Sequence, residues 1–309
     1  MVDELRRRMV GAGRADEIKY LGSSEEIVRN AREGAILRDN SGSAIGMVIT
    51  APISGLGRMV EFFTLRDPHL NPSGLRDFVE SMVLHYPGGS PVLIIWDGLR
   101  MFDSVPVISL LKQQGFHVFH RLEMLLPAGK VPPPAPQVSK AQGRLRNVGP
   151  GDFEALSHLN AICFEGSIDA YLLASTNDQY ENARRLMRDL LDGTYGRFLE
   201  YASFGLEVDG EIVGATIVTR NENNTLLADV AVLPRYQGQG HAGRLIRASL
   251  EPLLREPNLK LYLNVTIENP RAYYLYRHLG FEVKSGPYPL WARTEKLGIA
   301  PPEPVDYKE

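Results

Sequence analysis

The stretch Pro234–Gly243, PRYQGQGHAG, decides how this chain is read, because it can be parsed in two ways. Counted from its glycines, Gly238, Gly240 and Gly243 have the spacing G-x-G-x-x-G of a dinucleotide-binding turn. Counted from its glutamine, Gln237-Gly238-Gln239-Gly240-His241-Ala242 reads Q-x-x-G-x-A. The physics is common to both: glycines that open a helix leave successive backbone N–H groups unpaired, and the helix dipole adds partial positive charge. With no side chains in the way, a pyrophosphate can come close.

The surroundings choose between the parsings. In a dinucleotide fold the first glycine follows its strand almost directly, and an acid about 20 residues later holds the ribose. Here the strand LLADVAVLP ends near Leu233, four residues intervene before Gly238, and the next strand, KLYLNVTI, has no acid until Glu268 just beyond it. A P-loop is excluded, since no Gly-Lys-Ser/Thr follows. Neither a nicotinamide nor a flavin dinucleotide is expected.

Working outward, periodicity and turn signals predict a strand at 144–148, a helix from Asp152 and a second helix over NARRLMRDLLDG. A hairpin turns at Asp209-Gly210 within GLEVDGEIVGATIVT, and the strand before the glycine loop follows it. After the loop come the helix GRLIRASLEPLLRE, the strand KLYLNVTI, a helix over Pro270–Leu279, and two closing strands, FEVKS and PLWART. The order is β-α-α-β-β-β-α-β-α-β-β.

That order, with Q-x-x-G-x-A after the fourth strand, resembles the GNAT acetyltransferase superfamily, whose coenzyme A loop has the form [RQ]-x-x-G-x-[GA]. A second motif agrees: Asn269, Ala272, Tyr276, Gly280 and Phe281 are similar to the family's N-x-x-A-x-x-x-Y-x-x-x-G-F. The resemblance covers residues 144–294. It implies acetyl-CoA as co-substrate, with no metal, and an α/β (α+β) fold whose central sheet is mixed, mostly antiparallel and flanked by helices. It also implies that the fourth and fifth strands splay, so that Val230, Ala231 and Val232 line the pantetheine arm while Gln237, Gly238, Gln239, Gly240, His241, Ala242 and Gly243 surround the pyrophosphate.

The same resemblance makes Tyr276 the acid that protonates the departing thiolate; the plainer reading is a core aromatic on an amphipathic helix. Asn269 before Pro270 is an N-cap followed by Pro at the first helical position, and contact with the coenzyme A arm would be an additional use. A general base must relieve the attacking ammonium of its proton. Many relatives carry a Glu where this chain has Asn264, and an amide cannot serve. Of the remaining acids, Asp229 ranks before Glu268, because an acid inside the apolar run ADVAVL is expensive to bury; a solvated strand edge is the alternative. The segment FEGSIDAYLLASTNDQYEN would border the acceptor cleft, and its Glu165, Asp169, Asp178 and Glu181, with no Lys or Arg, favour a cationic amine, small molecule or peptide.

Composition narrows the rest. A formal net charge of −3 gives no basic field for a nucleic-acid backbone. The single cysteine, Cys163, sits in the apolar helix ALSHLNAICF and reads as a core thiol, not a nucleophile. No apolar run of about 18 residues occurs and the N-terminus has no apolar stretch behind its basic residues, so a cytoplasmic protein without membrane contact is expected.

The chain divides at Pro127–Gly143, PAGKVPPPAPQVSKAQG, whose five prolines read as an extended linker. Before it, LLKQQGF, ending at Phe116, matches LYRHLGF, ending at Phe281, and several preceding elements follow suit, which suggests an internal duplication. The first copy has no glycine loop and Leu111 stands opposite Tyr276. The expected domains are therefore 1–126, a degenerate GNAT-like copy; 127–143, the linker; and 144–309, the catalytic copy. Asn264 and the degenerate first half also suit a rival reading, a coenzyme A-binding sensor or interaction module without catalysis. Alternating His117 and His120 read as packing residues rather than metal ligands.

Overall fold

The computed structural model describes residues 34–38, 41–53, 57–65, 73, 92–96, 105–130, 132–133, 143–172, 178–221, 224–256 and 259–302. Residues 75–86, whose sequence LRDFVESMVLHY predicts a helix of the first copy, and residues 134–142 of the proline-rich stretch lie outside them. Two compact units are present: Met1–Phe119 with Tyr288–Pro302, and His120–Pro287 with Glu303–Glu309. The proline-rich stretch thus falls inside the second unit.

In the first unit β1 (Gly34–Arg38), β2 (Ala44–Ile53) and β3 (Gly57–Leu65) form an antiparallel meander, and β3 pairs in parallel with β4 (Val92–Trp96). Helix α1 (Val105–Gln113) ends at Gly115, whose φ of 79° permits the left-handed turn that returns the Phe116 N–H to the Leu111 carbonyl. Strand β5 (His117–Leu126) then begins in this unit and crosses into the second at Phe119/His120.

The second unit is built on a path of strands that runs inward from β6. Strand β6 (Arg144–Asn147) pairs with β8 (Phe204–Val208), and β8 with β9 (Glu211–Asn221), which also carries the short β7 (Arg197–Phe198). The hairpin turns at Asp209 and Gly210 as expected, with φ of 51° and 84°, the two positive values that a tight right-twisted hairpin needs. Next come β10 (Asn224–Val232), β11 (Leu261–Thr266) and the 120–126 part of β5, the last antiparallel to β11 from Arg121↔Thr266 to Leu126↔Leu261. The sheet is mixed and mostly antiparallel, as the sequence implies.

Helices cover it. α2 (Phe153–Phe164) and α3 (Gln179–Leu191) bury Leu156, Leu159, Met187 and Leu190 against Val213, Ala215 and Ile217 of β9. α4 (His241–Leu253) and α5 (Pro270–His278) bury Ile246, Leu250, Tyr273 and Tyr276 with Leu122, Met124 and Leu263 in a separate cluster. Covered in this way, β9 is buried at eight consecutive positions, Ile212 to Thr219, and shows no polar alternation. α5 ends like α1: Gly280 has φ 95°, and the Phe281 N–H returns to the Tyr276 carbonyl.

One expectation fails at the end of the chain. The two closing strands, split in the reading at Gly286-Pro287, are a single strand, β12 (Glu282–Ala292), followed by the short α6 (Thr294–Leu297). Pro and Gly punctuate most strands, but here the glycine allows the strand to continue. Its φ is 107°, and a Cβ would stand 2.7 Å from the Arg121 carbonyl oxygen. β12 passes from the second unit to the first at Pro287/Tyr288, where Leu290 and Trp291 pair with Trp96 and Ile95 of β4.

Candidate active site

The site opens where two strands part. β10 pairs with β11 at Thr225↔Leu261 and Leu226↔Tyr262 and no further, while its ladder with β9 continues to Val232. A bulge between Leu227 and Asp229 marks the divergence. The Leu233 N–H donates to the Val213 carbonyl at 2.9 Å. By the alternation of an antiparallel ladder, residues 229, 231 and 233 then bond to β9, and the backbone groups of Val230 and Val232 turn toward the side β11 has left. Ala231, expected beside them, has its backbone on β9. The Gln237 amide nitrogen donates to the Val232 carbonyl at 2.9 Å, and the Val232 N–H faces the Cys163 sulfur.

Beyond Val232 the chain makes a short 3-10 turn, Pro234–Tyr236, and enters α4 through Gly240. Gly238 and Gly240 have φ of 74° and 84°. Their left-handed backbone turns the amides from Gly238 to Gly243 outward. None of these six donates to another described residue, whereas the Arg244 N–H, one step on, already bonds to the Gly240 carbonyl at 3.0 Å. A Cβ at Gly238 would meet nothing within 4 Å, so the approach is open. The Gln239 amide nitrogen is tied back to the Arg235 carbonyl at 3.1 Å, and His241 is buried at 3% exposure, edge-on to Tyr236. Burial and the nearby Arg244 hold the His241 imidazole below its usual pKa.

On the divergence itself lies Asp229, 8% exposed, so the solvated-edge alternative does not hold. Its carboxylate accepts from the Asn160 side-chain amide on α2 at 3.2 Å. Burial pushes the carboxyl up to about 6, against the Asn160 bond and the Val230 N–H, which favour the ionised form. Tyr276, also 8% exposed, packs edge-on against Phe281 with ring centroids 5.9 Å apart. Its phenol is raised above the ordinary range by burial first and then by the charges of Asp229 and Asp169, with Arg121 opposing. It therefore stays protonated and is a proton donor, not a base. Cys163 sits half-buried beside the same acid, and burial above all, then Asp229, pushes its thiol up to about 12. That removes it as a thiolate nucleophile at neutral pH.

An acid with a raised folded pKa costs stability once the unfolded chain ionises. Stability falls between about pH 4 and about pH 6 and stays lower above, by roughly 3 kcal/mol for this shift. Asp229→Asn is thus expected to match the wild type near pH 4 and to exceed it in urea-unfolding free energy by up to that amount at pH 7.5. An equal difference at both pH values would mean that folding leaves the Asp229 pKa unshifted.

Other candidates have other work. Asn269 caps α5, its side chain accepting from the Ala272 N–H at 3.2 Å. Glu268 is held by His120, through the backbone N–H at 2.9 Å and Nδ1 at 2.8 Å, which leaves Asp229 as the better-placed base candidate. His117 bonds to Thr294. Asn264 is exposed and lies opposite Glu123 in the β5–β11 register. The acidic rim is weaker than its sequence suggests: Asp178 caps α3, and Asp169 forms an ion pair with Arg121. Sequence reasoning missed Asn160, although a lone Asn on an apolar helix face was a usable signal. It also missed Arg121, which nothing local marks.

Comparisons with known proteins agree with this geometry. Residues 162–281 match the model of the acetyltransferase (GNAT) family. A spermidine N(1)-acetyltransferase of Escherichia coli (strain K12) is 30% identical over 122 residues, covering 34% of this chain and 66% of that relative. A spermidine N(1)-acetyltransferase of Vibrio cholerae serotype O1 is 28% identical over 144 residues, covering 46% of this chain and 79% of the relative. Among solved structures, a GCN5-related N-acetyltransferase from Sphaerobacter thermophilus shares the fold with a TM-score of 0.58 at 18% identity, over 87% of this chain and 84% of that one. Among the described residues no helix is long and apolar enough to cross a membrane. The parted strands, the outward amides and these relatives point the same way: through residues 162–281 the chain is similar to the GNAT acetyltransferase family.

Proposed function

We propose that this chain moves an acetyl group from acetyl-CoA to a primary amine by direct attack within a ternary complex. One juxtaposition carries the reading: six amides, Gly238 to Gly243, without an acceptor among the described residues, continue a strand edge that parts from its neighbour and that begins beside a buried acid and a phenol. The amides suit a pyrophosphate. The backbone edge at Val230 and Val232, once its N–H groups turn from Asp229 and Cys163, suits the amide groups of a pantetheine arm, which would pair there as an added strand. The Val232 N–H would stabilise the developing oxyanion of the thioester carbonyl. Asp229 would take the proton of the incoming ammonium, Tyr276 would hand its own to the departing thiolate, and the second N–H proton, released as the amide forms, would restore the phenol. A phenol near pKa 10 protonates a thiolate near 8.5 only when transfer is coupled to bond breaking, which suits a donor buried at the point of cleavage.

A cationic acceptor fits Asp229, which has no cationic partner among the described residues. The spermidine acetyltransferases among the relatives make a polyamine the first candidate. The matching helix ends at Phe116 and Phe281 support the duplication, with residues 1–126 and 144–309 as its copies and the first without a glycine loop.

Thermal unfolding with acetyl-CoA, coenzyme A or NAD at about 1 mM, followed by thiol release with spermidine, tests the proposal. Acetyl-CoA at about 100 times its Kd should add about 2.7 kcal/mol, a shift of a few degrees, and NAD should add nothing. Stabilisation by NAD alone would overturn the reading. Stabilisation by acetyl-CoA without turnover on any amine would put a non-catalytic coenzyme A-binding role in its place.

A further inference from the structure

Among the described residues, the backbone bonds of the turn Ile168–Tyr171, between α2 and α3, are local: Ser167 to Phe164, Ala170 to Ser167 and Leu172 to Asp169. Side chains also link it to the sheet. Asp169 Oδ1 accepts from Arg121 Nη1 and from the Thr266 hydroxyl at 2.8 Å, and Arg121 Nη1 also donates to that hydroxyl at 2.9 Å. Thr266 is the last residue of β11, on the strand that leaves β10, and Arg121 is its cross-strand partner on β5. The pair is more than four-fifths buried, with side-chain exposures of 16% and 18%.

We propose that Arg121 is a positioning residue of the site: it pins the turn Ile168–Tyr171 to the open end of β11 through Asp169 and keeps that carboxylate neutralised beside the acceptor. The residue comes from upstream of the proline-rich stretch, from the part of the sequence that reads as the degenerate copy. A buried ion pair adds little over a neutral pair, but removing one partner strands a charge, and the turn escapes by carrying Asp169 to water. An acceptor entering beside Tyr276 would then meet a displaced wall and an additional negative charge. The electrostatic reach of both groups to Tyr276 is consistent with this placement.

The kinetic part rests on the acetyltransfer reading; the anchoring part does not, and the experiment separates them. Arg121→Met, Arg121→Lys and Arg121→Met/Asp169→Asn are compared with the wild type in the full chain, with spermidine and acetyl-CoA. For Arg121→Met we expect at least a tenfold rise in the KM for spermidine, with the KM for acetyl-CoA within twofold. The lysine variant and the double variant should each recover part of the loss. Hydrogen exchange of peptides spanning 165–172 should quicken at least tenfold in Arg121→Met, while those spanning 237–243 stay unchanged. Unchanged exchange and unchanged spermidine KM in a folded Arg121→Met overturn the proposal, as does a parallel rise in both KM values. If Arg121→Met does not fold, Asp169→Asn must loosen the same peptides, and a failure to do so is equally decisive against it. If the wild type has no turnover, the acetyltransfer reading falls and the exchange rates alone judge the anchor.

Discussion

A chain cut at the proline-rich stretch, residues 144–309, is expected not to fold. That boundary is the natural one to draw from the sequence, yet it removes the 120–126 part of β5. There Arg121 to Leu126 pair in full register with Thr266 to Leu261. Leu122, Met124 and Leu126 are at most 1% exposed and pack with Leu263, Val265 and Phe281 in the cluster that also holds Tyr276. Burial of three such side chains contributes about 6 kcal/mol at about 2 kcal/mol each, which is comparable to the whole stability of an ordinary domain, about 5–15 kcal/mol. The cut would also leave β11 as an unprotected apolar edge, a template for aggregation. The piece should be insoluble or lack near-UV circular dichroism and a cooperative thermal transition, and restoring residues 117–143 should improve both. A sharp transition with native tyrosine signals in 144–309 would show that β5 is dispensable.

The second large effect is expected at Tyr276. Tyr276→Phe removes one oxygen from a ring that already packs edge-on with Phe281, so the fold should tolerate it. General acid catalysis contributes about 10²–10⁴-fold, and kcat should fall by about 10²-fold or more. The Kd for acetyl-CoA, measured by calorimetry, should stay within about twofold, because the amides at Gly238 to Gly243 are untouched. Retention of kcat would return Tyr276 to the role of a core aromatic and pass the proton to water.

Local chemistry made much of this legible. Asp209-Gly210 announces its hairpin, Asn269-Pro270 its helix start, and the glycines after Leu233 their outward amides, because each signal is complete within a few residues. Asp229 stood out because an acid in an apolar strand needs a reason. What stayed hidden is non-local. No periodicity tells β5 that its partner is β11, whose Leu261 lies far along the chain from Leu126, and alternation alone cannot say which unit a strand joins. Arg121 and Asp169 each look like ordinary surface charges until the register brings them together. The closing strand was misread for the opposite reason: a strong local signal, Gly-Pro, gave way to a sheet that continues through it.

The crossing of β5 and β12 between units also bears on synthesis. As the chain leaves the ribosome, β4 emerges long before its partner Leu290–Trp291, so this contact spans about 200 residues and must wait until they are made. The 120–126 part of β5 must likewise remain unpaired until β11 is made. Neither unit's strands can be completed vectorially, one domain after another, as independent modules are. The nascent chain therefore carries open strand edges until β12 arrives, and chaperone dependence should track the synthesis of Glu282–Ala292.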